Sequence, residues 1–211
     1  MKTILCFGDS NTYGYNPETG GRYAKDERWP GVLAALLGDE YSLIEEGCNG
    51  RTTMFDDPFD EAVNGLKYLK PCLKSHKPLD AVILMLGTND LKRYLELDAK
   101  DIAAAAGKLV QIIKDYCFDI QGFSPEVVLV SPPQLGDNIQ ISPFYPDFDE
   151  RSLAESKKFS AEFGKEANRQ LCSFYDAKNA EISTLDQLHL TRNGHKALAE
   201  GLCGAVRKIS V

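Results

Sequence analysis

Ile4-Leu5-Cys6-Phe7 runs straight into Gly8-Asp9-Ser10-Asn11, and this junction decides how the chain is read. A short apolar run so close to the start of the chain reads as a buried strand. The polar residues that follow mark the point where the strand stops and the chain turns. A serine at such a point is held by a rigid scaffold yet faces outward. It can act as a nucleophile once a base reaches it.

Working outward, residues 3–7, 41–44, 81–86 and 127–130 form four short apolar runs, with a weaker fifth at 173–175. Runs of this length and composition suit parallel strands covered on both faces. Helical patterns lie between them. Trp29–Leu37 carries Pro30 in its first turn and Gly38 as a stop, and 64–74 places Leu66, Leu69 and Leu73 at helical spacing. Residues 99–116, 152–171 and 194–209 complete the set. Alternating strands and helices predict an α/β fold with an open, mostly parallel five-stranded sheet and right-handed crossovers. No linker or repeat interrupts the pattern, so residues 1–211 are expected to form one domain.

In such sheets ligands bind beyond the carboxyl ends of the strands. Ser10, Asn49-Gly50 and Asn89 all fall just past predicted strand ends. Residues 132–150 lack periodicity and read as a long loop beside the same sheet edge, whose 143–148 stretch is either a pocket wall or a loop packed on its own core.

A serine hydroxyl needs a base, and histidine suits that role near neutral pH. Only three histidines exist. His76 sits in a basic stretch that reads as a solvated helix end. His195 follows Asn193-Gly194 and reads as a capping or packing residue. His189 stands three residues after Asp186, so one turn can present both, the carboxylate fixing the imidazole tautomer. Taken alone the pair also admits a plainer reading, Asp186 as a helix cap and His189 as a surface residue. Oxyanion donors are available from the Ser10 N–H, the Gly50 N–H and the Asn89 side-chain amide. Singly, Gly50 also fits a turn and Asn89 a cap. Asp9 and Asp90 are expected to bond nearby backbone.

Other classes find little support. The net charge of −7 and pI of about 5.1 argue against nucleic acid or an anionic membrane as partner. No apolar run is long enough to span a bilayer and no signal-peptide core follows Met1, so the cytoplasm is the expected compartment. The six cysteines form no Cys-x-x-Cys pair and read as free thiols in a reducing environment. No zinc-ligand spacing occurs, so neither a metal nor another cofactor is expected. A Gly-x-Ser-x-Gly elbow and a P-loop are both missing, which argues against an α/β-hydrolase and a nucleoside triphosphatase. A flavodoxin-like binding module shares the architecture but needs a phosphate cradle after the first strand, where residues 9–15 carry an acidic Asp9.

Four blocks in order now carry a resemblance: Gly8-Asp9-Ser10-Asn11, the glycine block at Gly50, Gly87-Thr88-Asn89-Asp90, and Asp186-x-x-His189. The chain resembles the SGNH hydrolases, the GDSL-type esterases and lipases, over essentially its whole length. Asn11 replaces the leucine usual there, at a position that is not catalytic in the family. Ile44-Glu45-Glu46-Gly47, Arg51-Thr52-Thr53, Asp56-Asp57-Pro58, Leu86-Gly87-Thr88-Asn89-Asp90 and Val130-Ser131-Pro132-Pro133 look like the bacterial arylesterase/acyltransferase branch, whereas 136–150 matches it less closely. The resemblance implies a flavodoxin-like three-layer α/β/α fold. It implies Ser10 as nucleophile, His189 as base, Asp186 as its orienter, and Ser10, Gly50 and Asn89 as the oxyanion hole. It implies short-chain esters as substrates, acyl transfer to alcohols in some members, and homo-oligomers in some. Acetylated sugars, lysophospholipids and thioesters are alternative substrates for the same triad.

Overall fold

The computed structural model describes residues 1–208. Its centre is a five-stranded sheet of β1 (Lys2–Gly8), β2 (Tyr41–Gly47), β3 (Ala81–Met85), β4 (Glu126–Ser131) and β5 (Ser173–Asp176). The spatial order is β2-β1-β3-β4-β5, and every pairing is parallel. All five expected strands are present, as the α/β reading required.

Successive side chains of a strand point to opposite faces. Leu5 and Phe7, with Val82, Leu84, Val127 and Leu129, therefore enter one core, and Ile4, Cys6, Ala81, Ile83, Val128 and Val130 enter the other. The first core is covered by α3 (Gly65–His76), α4 (Ala99–Gln121) and α6 (Phe159–Gln170), through Leu69, Leu109 and Phe163 among others. The second is covered by α2 (Trp29–Leu37) and α7 (Arg192–Val206), through Trp29, Leu33, Leu198 and Leu202. Two short helices, α1 (Ser10–Tyr13) and α5 (Glu150–Ser156), lie outside these layers. This is the three-layer α/β/α arrangement.

Several boundaries depart from expectation. The run at 41–44 was expected to be covered on both faces, but every residue of β2 is half-buried, because β2 is an edge strand with one neighbour. The expected helix 152–171 is broken at Lys157-Lys158 into α5 and α6. Asp149 starts α5 early with a capping box, and Ser156 Oγ turns back to the Leu153 carbonyl at 2.8 Å and accepts from Leu135 N–H. The helix expected at 99–116 runs on to Gln121, where Gly122 adopts a left-handed φ of 86° and stops it. The last expected helix, 194–209, starts earlier and ends at Val206; Ile209 lies outside the described residues.

Candidate active site

Strand β1 delivers Gly8 to the carboxyl edge of the sheet, and Asp9 turns the chain into α1 by accepting the Asn11 N–H at 2.9 Å. A Cβ on Gly8 would lie 2.0 Å from Thr12 Oγ1 and 2.7 Å from the Met85 carbonyl oxygen, so the turn has room only for glycine. Ser10 is the first residue of α1. Its Oγ lies 2.9 Å from His189 Nε2, and His189 Nδ1 lies 2.7 Å from Asp186 Oδ2. The other carboxylate oxygen, Asp186 Oδ1, accepts the backbone N–H groups of Leu188 and His189, both at 3.0 Å. All three side chains are at least 95% buried. Residues 179 positions apart in the chain thus form one hydrogen-bonded line.

The His189 turn is clamped from several directions. Gln187 sits at a left-handed φ of 60°, and its side chain bonds Asn138 N–H and the Thr184 carbonyl. Ser142 Oγ donates to the Asp186 carbonyl at 2.5 Å. Tyr15 lies against the imidazole with ring centroids 4.3 Å apart, and Phe144 meets it edge-on at 5.5 Å. Asn11 was set aside in the sequence as non-catalytic, yet it is buried and bound to this same turn. Its Oδ1 accepts the Leu190 N–H at 2.9 Å, and its amide reaches the Leu188 carbonyl at 3.5 Å. Its place one residue after the serine was the only available hint.

Gly50 and Asn89 arrive on two further loops and line the same cleft as Ser10 and His189. Gly50 is left-handed, with φ 79°. The Asn89 amide donates one hydrogen to the Arg51 carbonyl at 3.1 Å, which leaves its second hydrogen for another acceptor. Arg51 is itself fastened, donating to the carbonyls of Gly8 (2.9 Å) and Glu46 while its guanidinium lies over Phe7. The cleft, of about 290 Å³, is completed by Tyr15, Asn49, Lys92, Phe144, Asp147, Phe148 and Leu188. Three of these belong to the 143–148 stretch, which therefore forms a cleft wall.

Beneath the cleft lie two fully buried carboxyls. Asp90 accepts from Thr53 N–H and from Thr53 Oγ1, the latter at 2.5 Å. Burial pushes Asp90 up to about 7 against the pull of these bonds, and the neighbouring Asp9 charge adds to the rise. Burial likewise pushes Asp9 up to about 6, opposed by its bond to Asn11 N–H and by His189 and Arg51. Asp9 bonds nearby backbone, as expected, whereas Asp90 bonds the backbone and hydroxyl of Thr53, 37 positions away on another loop.

The other histidines lie elsewhere. His195 is fully buried, accepts the Trp29 N–H at 3.3 Å, and is pushed down to about 3, chiefly by burial. His76 is the last residue of α3 and bonds Glu46 Oε1 at 2.8 Å, so it is less solvated than its sequence suggests. All six cysteines are free. A hydroxyl within reach of an imidazole whose far nitrogen meets a buried carboxylate is the geometry of an activated nucleophile. At residues 9–15, where a flavin phosphate would need open N–H groups, the buried Asp9 carboxylate occupies the helix start.

The model of the GDSL-like lipase/acylhydrolase family matches residues 6–197. Among solved structures, the native aryl esterase of M. smegmatis is 37% identical, with 98% of this chain and 99% of that chain covered and a TM-score of 0.91. A carbohydrate acetylesterase from Sinorhizobium meliloti is 36% identical over 98% and 99% of the two chains, at a TM-score of 0.92. A carbohydrate acetylesterase family member from the same organism is 34% identical over 98% of each chain, at 0.89. The comparison with curated proteins returned no match.

Proposed function

The chain belongs to the GDSL-like lipase/acylhydrolase family and is a carboxylic ester hydrolase; from that premise we propose that it cleaves short-chain esters through an acyl-enzyme on Ser10. His189 takes the hydroxyl proton as Ser10 Oγ attacks the ester carbonyl. Asp186 holds the imidazole in the required tautomer and stabilises its charged form. The tetrahedral oxyanion is met by the N–H groups of Ser10 and Gly50 and by the free hydrogen of the Asn89 amide. His189 then protonates the leaving alcohol, and water attacks the acyl-enzyme by the reverse route. The observation that carries this reading is the Ser10–His189–Asp186 line, with contacts of 2.9 and 2.7 Å.

The test is Ser10→Ala. It should abolish release of p-nitrophenol from its acetate ester, and a fluorophosphonate probe should label the native chain on Ser10 but not the variant. Activity retained in the variant would overturn the assignment.

Finer features belong to the same proposal. The apolar wall of Tyr15, Phe144, Phe148 and Leu188 beside Ser10 favours alcohols over water at the acyl-enzyme, so acyl transfer should accompany hydrolysis. Asn49, Lys92 and Asp147 add polar groups suited to hydroxyls, which supports acetylated sugars as a second substrate reading. Rates on acetylated xylo-oligosaccharides against aryl acetates separate the two. Among the described residues no helix is long and apolar enough to cross a membrane. Six free cysteines support the cytoplasm as the place of work. A homo-oligomer belongs to the same proposal, with the exposed Phe59, packed on Tyr94, as its contact, to be measured by light scattering.

A further inference from the structure

Strand β2 and helix α3 bring three metal-ligating side chains together away from the triad. Cys72 and His76 stand one helical turn apart on α3 and so share a face. Glu46, near the end of β2, meets that face, its Oε1 2.8 Å from His76 Nε2. The ligand atoms of Glu46, Cys72 and His76 all lie within 4.8 Å of one another. Zinc bonds run at about 2.0–2.3 Å, so the donors of a tetrahedral site sit roughly 3.3–3.8 Å apart. Binding an ion would require the Glu46 and His76 side chains, both partly exposed, to turn until the three donors reach that spacing.

The donor chemistry is specific. A thiolate, an imidazole and a carboxylate together suit a borderline-soft divalent ion and disfavour magnesium or calcium. Thiolate and carboxylate supply two negative charges against the two positive charges of the ion. The other cation nearby, Arg51, directs its guanidinium to the carbonyls of Gly8 and Glu46 and lies over the Tyr68 ring. The carboxylate is oriented from behind, because Tyr68 Oη donates to Glu46 Oε2 at 3.2 Å. Such outer bonds are the usual support of a metal ligand. Cys72 is buried, whereas Glu46 and His76 are partly exposed, with side chains 19% and 28% accessible. An ion therefore has an entry path from solvent, which can also supply a water as fourth ligand.

We propose that Glu46, Cys72 and His76 form a binding site for a zinc-class divalent ion, separate from the ester-cleaving triad. The pattern hid in the sequence because the spacing Cys-x-x-x-His matches no common zinc motif, and the third donor lies 26 positions before Cys72 on another element.

Cobalt(II) reports on such a site by absorbance. Titrating the reduced full-length protein with Co²⁺ should give one equivalent bound, with a thiolate-to-cobalt charge-transfer band and the strong visible bands of tetrahedral cobalt, both erased by added Zn²⁺. Cys72→Ser should remove the charge-transfer band while esterase activity persists, which shows that the variant has folded. His76→Asn should weaken Co²⁺ binding by about tenfold or more. Cys48→Ser should change nothing. No tetrahedral spectrum in the native protein, or a charge-transfer band that survives Cys72→Ser, overturns the proposal. If Cys72→Ser fails to fold, unweakened binding in His76→Asn does the same.

Discussion

Asn11 lies beside the proposed nucleophile and holds the turn that carries the proposed base. Replacing it by leucine keeps the number and branching of the side-chain heavy atoms, swells the side chain somewhat, and removes both bonds to that turn. The Leu190 N–H is then buried without a partner, at a cost of about 1–3 kcal/mol. The imidazole also loses a restraint, and small misplacements at a reacting centre are expensive. We expect Asn11→Leu to lower kcat about tenfold to a hundredfold with little change in KM, and to lower the urea midpoint. Steady-state kinetics on p-nitrophenyl acetate and a denaturation curve check both parts; an unchanged kcat would show that Tyr15, Phe144 and Ser142 position the turn unaided. Asn89→Ala belongs to the same scale. If its free amide hydrogen meets the oxyanion, the loss should be about a hundredfold to a thousandfold in kcat, and stability should change less than kcat does.

At the scale of elements, the loops that follow β2 and β3 are joined by one buried group. Asp90, just after Asn89, accepts Thr53 N–H and Oγ1 from the loop that carries Gly50. Its pKa rises from 3.8 to about 7, so the folded state holds a proton that the unfolded chain has already released. The contribution of Asp90 to stability is therefore greatest below about pH 4 and falls as pH rises toward 7, by at most about 1.4 kcal/mol per unit. His195, pushed down to about 3, acts in the opposite sense below its ordinary value of 6.5, and Asp9, raised to about 6, acts in the same sense as Asp90, so the bare pH profile mixes the three. The difference between the native chain and Asp90→Asn removes the His195 contribution and reports Asp90 together with its coupling to Asp9, since the asparagine oxygen still accepts from Thr53 N–H. Urea denaturation from pH 4 to 8 should show the native chain losing stability relative to the variant as pH rises; a constant difference refutes the assignment. These loops also mark where legibility ended. Strands such as Ala81–Met85 could be read because alternate faces are both buried, which leaves an unbroken apolar run. Gly50 and Asn89 could be read as loop residues at strand ends. Their mutual fastening through Arg51, Thr53 and Asp90 could not, because it depends on side chains 37–43 positions apart meeting across strands.

For the whole molecule, the sheet order β2-β1-β3-β4-β5 has a mechanical consequence. Strand β1 leads the chain but sits inside the sheet, and its alternating residues feed both cores. Neither helical layer can be lost without exposing one face of the same strands. The described residues should therefore unfold as one cooperative unit, which is the one-domain reading in thermodynamic form. The single tryptophan makes this measurable, because Trp29 is wholly buried in the α2/α7 layer and reports on that layer alone. Leu109, on α4, is wholly buried on the opposite side of the sheet. Leu109→Ala should cost about 2–5 kcal/mol through lost burial and the cavity left behind. The Trp29 fluorescence transition should shift by as much as the circular-dichroism transition, although no Leu109 atom belongs to the tryptophan's core. Leu33→Ala, beside Trp29, should shift both probes together in the same way. If Leu109→Ala moves the circular-dichroism curve and leaves the fluorescence curve in place, the two layers fold independently. Ser10, just after β1, and His189, in the turn before α7, would then be held together by the site's own bonds and by the second core alone, which contains Ile4, Cys6 and Leu190.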